Sequence, residues 1–527
     1  MDKDKNRDSK EIGSSLKLLV KTSFIVFMGV FISKIIGYIY RIVVARGFDP
    51  EIYGAFSLAM VVSGLFGAVF SFGFSDGLLR YVALYRGRKE IGKARYLFQK
   101  VSKILIITGI IATVLMFALS GTIATQIFHN EKITIFLQLF ALTLIFSILT
   151  GPLMSTIRAF EKIGWHSFIT NILQNVIKLL AVILLIYLGF QSKSIGFSYL
   201  IASFLTFLTA YFVCKRAIPQ ISGKFKISKN QKKKIFNNFY SYSWPFVVLS
   251  LSAYVMTWID SVMVGFYKTV YDVGIYNVAV TIAGLFLIAP MLFMQLLFPL
   301  LAKELGKKKQ SVAGEISKQV GKWIFMLNLP LLFIVLVFPG VIINILFGSE
   351  YLGAINSLRI ISIGLFFLQQ AVISRDIVSS SGKSRIILFD YIVVSLFNTV
   401  LNFLFVPVFG INGAAFSTML SYFVLGILYF VQAKKEAGVI PARRKMLGVL
   451  VSSLIPGIIL IFLSKNLPGN LLVLALSGIL FVLLYVCLIF LTRSLDRNDY
   501  MIIKSLWVKV RDSIGMHAQN QSVIQND

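Results

Sequence analysis

The feature that most constrains this chain is a recurrence of apolar stretches, each long enough to cross a bilayer and joined to the next by a short connection. A spanning helix needs about 20 mostly apolar residues. Such stretches read at 22–44, 52–74, 104–126, 133–155, 167–189, 194–214, 241–265, 273–300, 323–346, 354–379, 386–408, 411–432, 447–464 and 471–492. Of the 527 residues, 57% are hydrophobic and 14% charged, against about 25% charged in soluble proteins. A water-soluble globule cannot hide that much apolar surface. A disordered chain, a coiled coil and a disulfide-stapled domain are excluded on the same grounds. The fold class is an all-α polytopic membrane protein with about 14 transmembrane helices. The charged N-terminus reads as lacking a cleavable signal peptide, the first span serving for insertion.

The net charge of +30 suggests nucleic acid in a soluble protein. Its distribution says otherwise. With the N-terminus inside, 42 Lys and Arg fall on inner segments, 5 on outer loops and 5 within spans. That asymmetry predicts both termini in the cytoplasm of a plasma (inner) membrane protein, facing anionic inner-leaflet lipid, with no nucleic-acid partner. The segment 215–234 holds eight cations and no acid. In the tail, Ile503, Leu506, Trp507, Val510 and Ile514 follow helical spacing, which reads as an amphipathic helix on the inner surface.

An internal repeat organises the rest. At an offset of 220, Gly54/Gly274, Ala59/Ala279, Gly64/Gly284, Leu65/Leu285 and Phe66/Phe286 are identical; at 219, Phe128/Phe347 and Glu131/Glu350 match at turns. The expected organisation is an N-terminal cytoplasmic segment 1–21, an N-lobe 22–214 (helices 1–6), a basic linker 215–240, a C-lobe 241–432 (helices 7–12), helices 13–14 at 447–492, and a tail 493–527. The two lobes are parallel repeats, the arrangement of a transporter with its site between them.

A charge at the bilayer centre costs about 2.5–3.5 kcal/mol on insertion scales, so each one marks a candidate site. Lys34 and Arg41 share one stripe of span 1 with Gly37 between them, leaving room for a bulky anion; snorkelling is the competing reading. Asn171, Gln174, Asn175 and Lys178 form a polar face on span 5, either lining a wet cavity or binding helices together. Asp260 in span 7 matches Tyr40 by the repeat and is expected to pair with Arg41 across the lobe interface. Span 10 carries Arg359, Gln369, Gln370 and the adjacent Arg375 and Asp376, a local pair. Ser395, Asn398 and Asn402 on span 11 read as helix packing, and Asp390 as reaching water. Pro245, Pro290, Pro299 and Pro330 are candidate kinks.

Absences narrow the function. There is no G-x-x-x-x-G-K-[ST] phosphate loop, no potassium-filter sequence and no polar catalytic loop, and His129, His166 and His517 are too dispersed for a local metal motif. No catalytic residue, cofactor or metal is expected.

Four segments carry a resemblance: ISKIIGYIYRIVVARGFDPEIYGAFSLA followed by FGFSDGLLRYVA (72–83), WIDSVMVGFYKTVYDVGIYNVA (258–279), ILFGSEYLGAINSLRI (345–360) and NTVLNFLFVPVFGINGAAFSTML (398–420). In order and spacing these resemble the polysaccharide-transporter (O-antigen-type flippase) branch of the multidrug/oligosaccharidyl-lipid/polysaccharide exporter superfamily, over roughly residues 15–490. The resemblance implies two six-helix lobes forming a V, with two further C-terminal helices. It implies alternating-access transport of polyprenyl-linked sugar from the inner to the outer leaflet through a cationic central cavity. Arg80 matches the Arg after the second helix of the family. The candidate phosphate and glycan contacts are thus Lys34, Arg41, Arg80, Lys178 and Arg359, with Asp260, Arg375 and Asp376 for gating or coupling and Asn171, Gln174 and Asn175 as polar cavity wall. A Na⁺ or proton gradient is left open as the driving force. Glycosyltransferases or a glycan polymerase are the expected protein partners. A cation-coupled exporter of drugs or small amphiphiles is the alternative within the superfamily, and a membrane enzyme or scaffold of envelope assembly the third reading.

Overall fold

The structure, a computed structural model, describes residues 31–496 apart from 222, 224–226, 308 and 467–469, together with Asp499. It is helical throughout, as a chain in lipid must be when every backbone polar group has to find its partner locally. Twelve helical segments among the described residues are long and apolar enough to cross a membrane. Helix α1 (31–47) adds the outer part of span 1, and the segment Ser384–Ala437 contains two spans. The expected tail helix at 503–514 lies outside the described residues.

The N-lobe is α1, α2 (Pro50–Phe70), α3 (Phe74–Gly87), α4 (Ile91–Thr122), α5 (Lys132–Ala159), α6 (Ile163–Ser167), α7 (Gln174–Tyr187) and α8 (Lys193–Ala217). The C-lobe is α9 (Lys229–Tyr267), α10 (Val270–Ala283), α11 (Ile288–Gly306), α12 (Gln310–Val337), α13 (Pro339–Leu346), α14 (Ile355–Ser380) and α15 (Ser384–Ala437), followed by α16 (Lys445–Asn466) and α17 (Leu471–Leu491).

Several elements differ from the sequence reading. Half of the basic linker 215–240 is helix, because Ser228 caps α9 and the cationic run continues it into span 7. Span 8 is not one helix: a 3₁₀ turn at Gly284–Leu287 separates α10 from α11, and Pro290 sits in the first turn of α11, where a missing N–H breaks no helical bond. Span 5 is widened by a π-helical turn at Phe168–Leu173. Spans 11 and 12 are joined with no loop, the chain reversing at Gly410 (φ 58°, ψ −134°), a conformation open to glycine. The short α3 has no counterpart in the span list. It buries Phe74, Gly77, Leu78, Val82 and Tyr85, and a Cβ on Gly77 would overlap the Ser243 hydroxyl of α9.

The repeat appears in space as a reciprocal contact. α2 starts at Asp49, whose side chain accepts from Ile52 N at 2.8 Å, and α10 starts at Thr269 with a capping box to Asp272. These two caps are 220 residues apart. One turn into each helix, Gly54 and Gly274 meet. A Cβ on Gly54 would overlap the Val270 carbonyl oxygen, and one on Gly274 would overlap that of Pro50. Each glycine thus meets the repeat equivalent of the residue that meets its partner, as at a two-fold interface. The two lobes are pressed together here, at the end that the cation asymmetry assigns to the outside. Along the same flank the Tyr254 hydroxyl donates to Val61 O at 2.7 Å.

A second junction holds α16 and α17 to the C-lobe. Lys322 of α12 is 0% exposed and pairs with Asp496 at 2.8 Å and with Asp499. Trp323 Nε1 donates to Asp499 at 2.8 Å, while Arg443 and Lys445 reach Asp496 at 3.0 and 2.6 Å. Burial pushes the Asp496 carboxyl up, but the bonds from Lys322 and Lys445 and the charges of Lys322 and Arg443 outweigh it and hold it below the usual carboxylate range. That share of stability is present above the ordinary carboxylate pKa and is lost as pH falls through the lowered value.

Two outcomes are expected. Gly274→Val forces the lobes apart, so electron-electron distances between spin labels at Glu131→Cys and Glu350→Cys, on a Cys487→Ser background, should lengthen. Lys322→Met leaves two carboxylates facing each other with their buried cation gone, and should cost about 3–5 kcal/mol, read as a fall in the thermal unfolding midpoint in detergent.

Candidate functional site

Three intramembrane cations converge where α1 meets α7 and α10. Asn175 Nδ2 of α7 donates to Ser33 Oγ of α1 at 3.0 Å, fixing the two helices together. This places Lys178, one turn further, with its ammonium 4.7 Å from the Tyr40 ring centre and 4.8 Å from that of Tyr199. Ring faces attract a cation by their quadrupole. Arg41 donates to Thr281 Oγ1 of α10 at 2.8 Å, so its guanidinium touches both lobes. Tyr38, Tyr53 and Tyr199 lie around it. The Tyr53 hydroxyl is buried beside it. Lys34, partly buried on the same stripe, has no hydrogen-bond or ion-pair partner among the described residues. A Cβ placed on Gly37, between Lys34 and Arg41, would meet nothing within 4 Å among the described residues.

The charge of Arg41 acts on both Lys34 and Lys178, and none of the three forms a salt bridge among the described residues. Buried charges are ordinarily paired. A set of like charges beside open space, held on aromatic rings and one threonine, is chemically complete only with an anion or water between them.

The remaining candidates are placed elsewhere. Arg80, exposed on α3, stacks 4.1 Å from the centre of the Tyr242 ring of α9, at the inner end of the lobe interface. Arg359 donates from Nε to Leu336 O at 3.0 Å, near the C-terminal end of α12, where carbonyls lack helical partners. Arg375 and Asp376 form the local pair read from the sequence, at 3.1 and 3.0 Å. Asn171 bonds Ser167 within its own helical segment at 3.1 Å, and Gln174 lines a pocket inside the N-lobe. The span 5 face therefore serves three purposes: helix contact at Asn175, pocket at Gln174 and cation at Lys178.

Asp260 corrects one expectation. It does not reach Arg41. It accepts from Tyr276 Oη and Asn402 Nδ2, each at 2.8 Å, and from the Thr418 hydroxyl, all inside the C-lobe. Sequence register puts Asp260 and Arg41 at similar depth, but α9 turns Asp260 towards α10 and α15 instead of the interface. The span 11 stripe is the packing surface expected, with Ser395 donating to Ser252 O at 3.2 Å and Asn402 meeting Asp260. Asp390 does not reach water: it is 4% exposed and accepts from Gln432 at 3.0 Å.

The outer closure is made by a residue the sequence reading passed over. Arg46 donates to Asn344 O and Leu346 O, each at 3.1 Å, and to Ile345 O. These are the last carbonyls of α13, the negative end of a helix in the opposite lobe. The Tyr351 hydroxyl returns a bond to Ala45 O at 3.2 Å. An arginine in an outer loop carries no sign in sequence that a helix end will lie beside it. Arg46→Ala should lengthen the Glu131→Cys to Glu350→Cys spin-label distance. Asp260→Asn should leave it unchanged, and its effect on transport should add to that of Arg41→Gln, because the two sites share no partner.

A family model described as "Polysaccharide biosynthesis protein" matches residues 19–305, and one described as "MatE" matches residues 245–404. An uncharacterised membrane protein of Methanocaldococcus jannaschii is 25% identical over 482 residues, 87% of this chain and 92% of its own. A candidate O-antigen transporter of Shigella flexneri is 23% identical over 380 residues, 71% of this chain and 87% of its own. Among solved structures, the lipid II flippase MurJ in an inward closed conformation superposes with a TM-score of 0.70 at 16% identity, covering 89% of this chain and 99% of that one.

Proposed function

The chain belongs to the polysaccharide biosynthesis protein family, and on that premise we propose that it carries a polyprenyl-(pyro)phosphate-linked oligosaccharide from the inner to the outer leaflet by alternating access, for assembly of surface polysaccharide. The observation that carries the proposal is the set Lys34, Arg41 and Lys178 near the open space at Gly37, with no carboxylate partner among the described residues. A phosphate headgroup cannot cross hydrocarbon unaided, since its charge would be stripped of water. Fixed cations in a polar cleft replace that hydration, while the polyprenyl tail remains in lipid. Arg41 spans the lobes through Thr281, so an anion taking up Arg41 competes with a contact that holds the lobes together.

The cation asymmetry supports an orientation with the termini and the basic segment before α9 in the cytoplasm, the side where glycosyltransferases would supply substrate. Asp260 is the group best suited to coupling. Its carboxylate has neutral partners only, and the neighbouring Asn402 Oδ1 is buried with no hydrogen-bond donor. A proton or Na⁺ fits that oxygen set. The MatE match over the C-lobe supports the second reading, a cation-coupled exporter of small amphiphiles, for which Asp260 would be the coupling site and the three cations would be dispensable.

Lys34→Ala should abolish surface glycan at normal membrane abundance, and Lys34→Arg should retain part of it. Normal surface glycan in Lys34→Ala removes Lys34 from the site. In intact cells, Asn230→Cys on the Cys487→Ser background should resist an impermeant thiol reagent; strong labelling would reverse the orientation.

A further inference from the structure

Inside the N-lobe, between α5, the α6–α7 span and α8, lies a cavity of about 290 Å³ that the cation site does not use. Ser147, His166, Thr170, Gln174, Ser203 and Thr206 line it. A serine or threonine within a helix commonly donates back to a carbonyl one turn earlier, and Thr143, Thr156 and Thr209 in the flanking helices do so. Thr150, a seventh polar side chain of the wall, does so to Phe146 O at 2.7 Å. The other six take no hydrogen-bond partner among the described residues, and of these Thr206 Oγ1 is closed off from the space itself. Ser147, His166, Thr170, Gln174 and Ser203 therefore keep donors and acceptors free for an occupant. The wall on the α6–α7 side is the π-helical turn Phe168–Leu173, a distortion that costs helix geometry and tends to occur at functional sites.

The chemistry of the lining selects its occupant. No Lys, Arg, Asp or Glu lines the cavity, so neither a phosphate nor an ammonium is matched there. Hydroxyls and a carboxamide donate and accept alike, as sugar hydroxyls do. Met154 and Ile169 supply apolar surface for the C–H face of a ring. The space equals roughly ten waters at about 30 Å³ each, room for a single sugar ring. Gln174 stands one helical turn from Lys178 on the same face, so a ring here would adjoin a phosphate held by the cations.

We infer that this cavity is a binding subsite for one neutral sugar residue of the substrate, next to the phosphate site. The inference rests on the glycan-lipid reading above. Its test uses the full chain in nanodiscs and two kinds of probe: polyprenyl phosphate alone, and polyprenyl phosphate bearing glucose, galactose or N-acetylglucosamine. Wild-type protein should bind one of the sugar-bearing probes about tenfold more tightly than the bare lipid, a difference of about 1.4 kcal/mol. Gln174→Leu and Thr170→Val should each erase that advantage without weakening the bare lipid, and Thr170→Ser should keep it. If the wild type binds all probes equally, or if the variants weaken none, the cavity holds water only and the subsite falls while the phosphate reading stands. If Gln174→Leu and Thr170→Val weaken bare and sugar-bearing lipid alike, their role is structural and the subsite again falls. If the wild type binds no polyprenyl phosphate at all, the glycan-lipid reading itself falls.

Discussion

Where α2 crosses α10, two glycines 220 residues apart let backbones touch, and the arrangement of everything else depends on that approach. With no side chain at Gly54 or Gly274, each helix rests on a carbonyl of the other. Van der Waals contact between small residues is how helices associate in lipid, where burying apolar surface gains little. Because the contact is reciprocal, it can open and close as one event about the pseudo-two-fold axis. Arg46 on the carbonyl end of α13 and Tyr351 on Ala45 close around it, tying the outer loops of one lobe to the other. A wedge of a single methyl group at the crossing would be felt by all of these.

The chain treats buried charge in three distinct ways. Lys322 is fully enclosed and fully compensated, by Asp496 and Asp499, and serves to attach the last two helices. Asp260 is enclosed by neutral oxygen and nitrogen donors that can accommodate a change in its charge. Lys34, Arg41 and Lys178 are half-buried, and among the described residues no carboxylate compensates them. The first is architecture. The second is suited to a small cation that comes and goes. The third has the form of a site for an anion, and its Arg41 touches both lobes.

Much of this was legible in the linear chain. The spans were visible because lipid admits only long apolar helices, and the repeat because two lobes packed about an axis need glycine at the same place. The stripe of Lys34, Gly37 and Arg41 was visible because helical periodicity is local. The Arg375–Asp376 pair was visible for the same reason. Periodicity also grouped Asn171, Gln174, Asn175 and Lys178 on one face, but it could not say that neighbours would divide that face into a helix contact, a pocket wall and a cation site.

What the sequence determined by itself was therefore one-dimensional and local: span lengths, the side of the membrane favoured by cations, and which residues share a stripe. What only the tertiary structure decided was partnership across long separations. Arg46 finds the end of α13 some 300 residues away, Lys322 finds Asp496 across 174 residues, and Asp260 turns to Asn402 and Thr418 instead of Arg41. The depth of a residue in the membrane follows from counting along its helix, but the direction it faces depends on the rotation of that helix against its neighbours. That rotation is set by interlocking side chains and glycine contacts from the whole bundle, and no single stretch of sequence contains it.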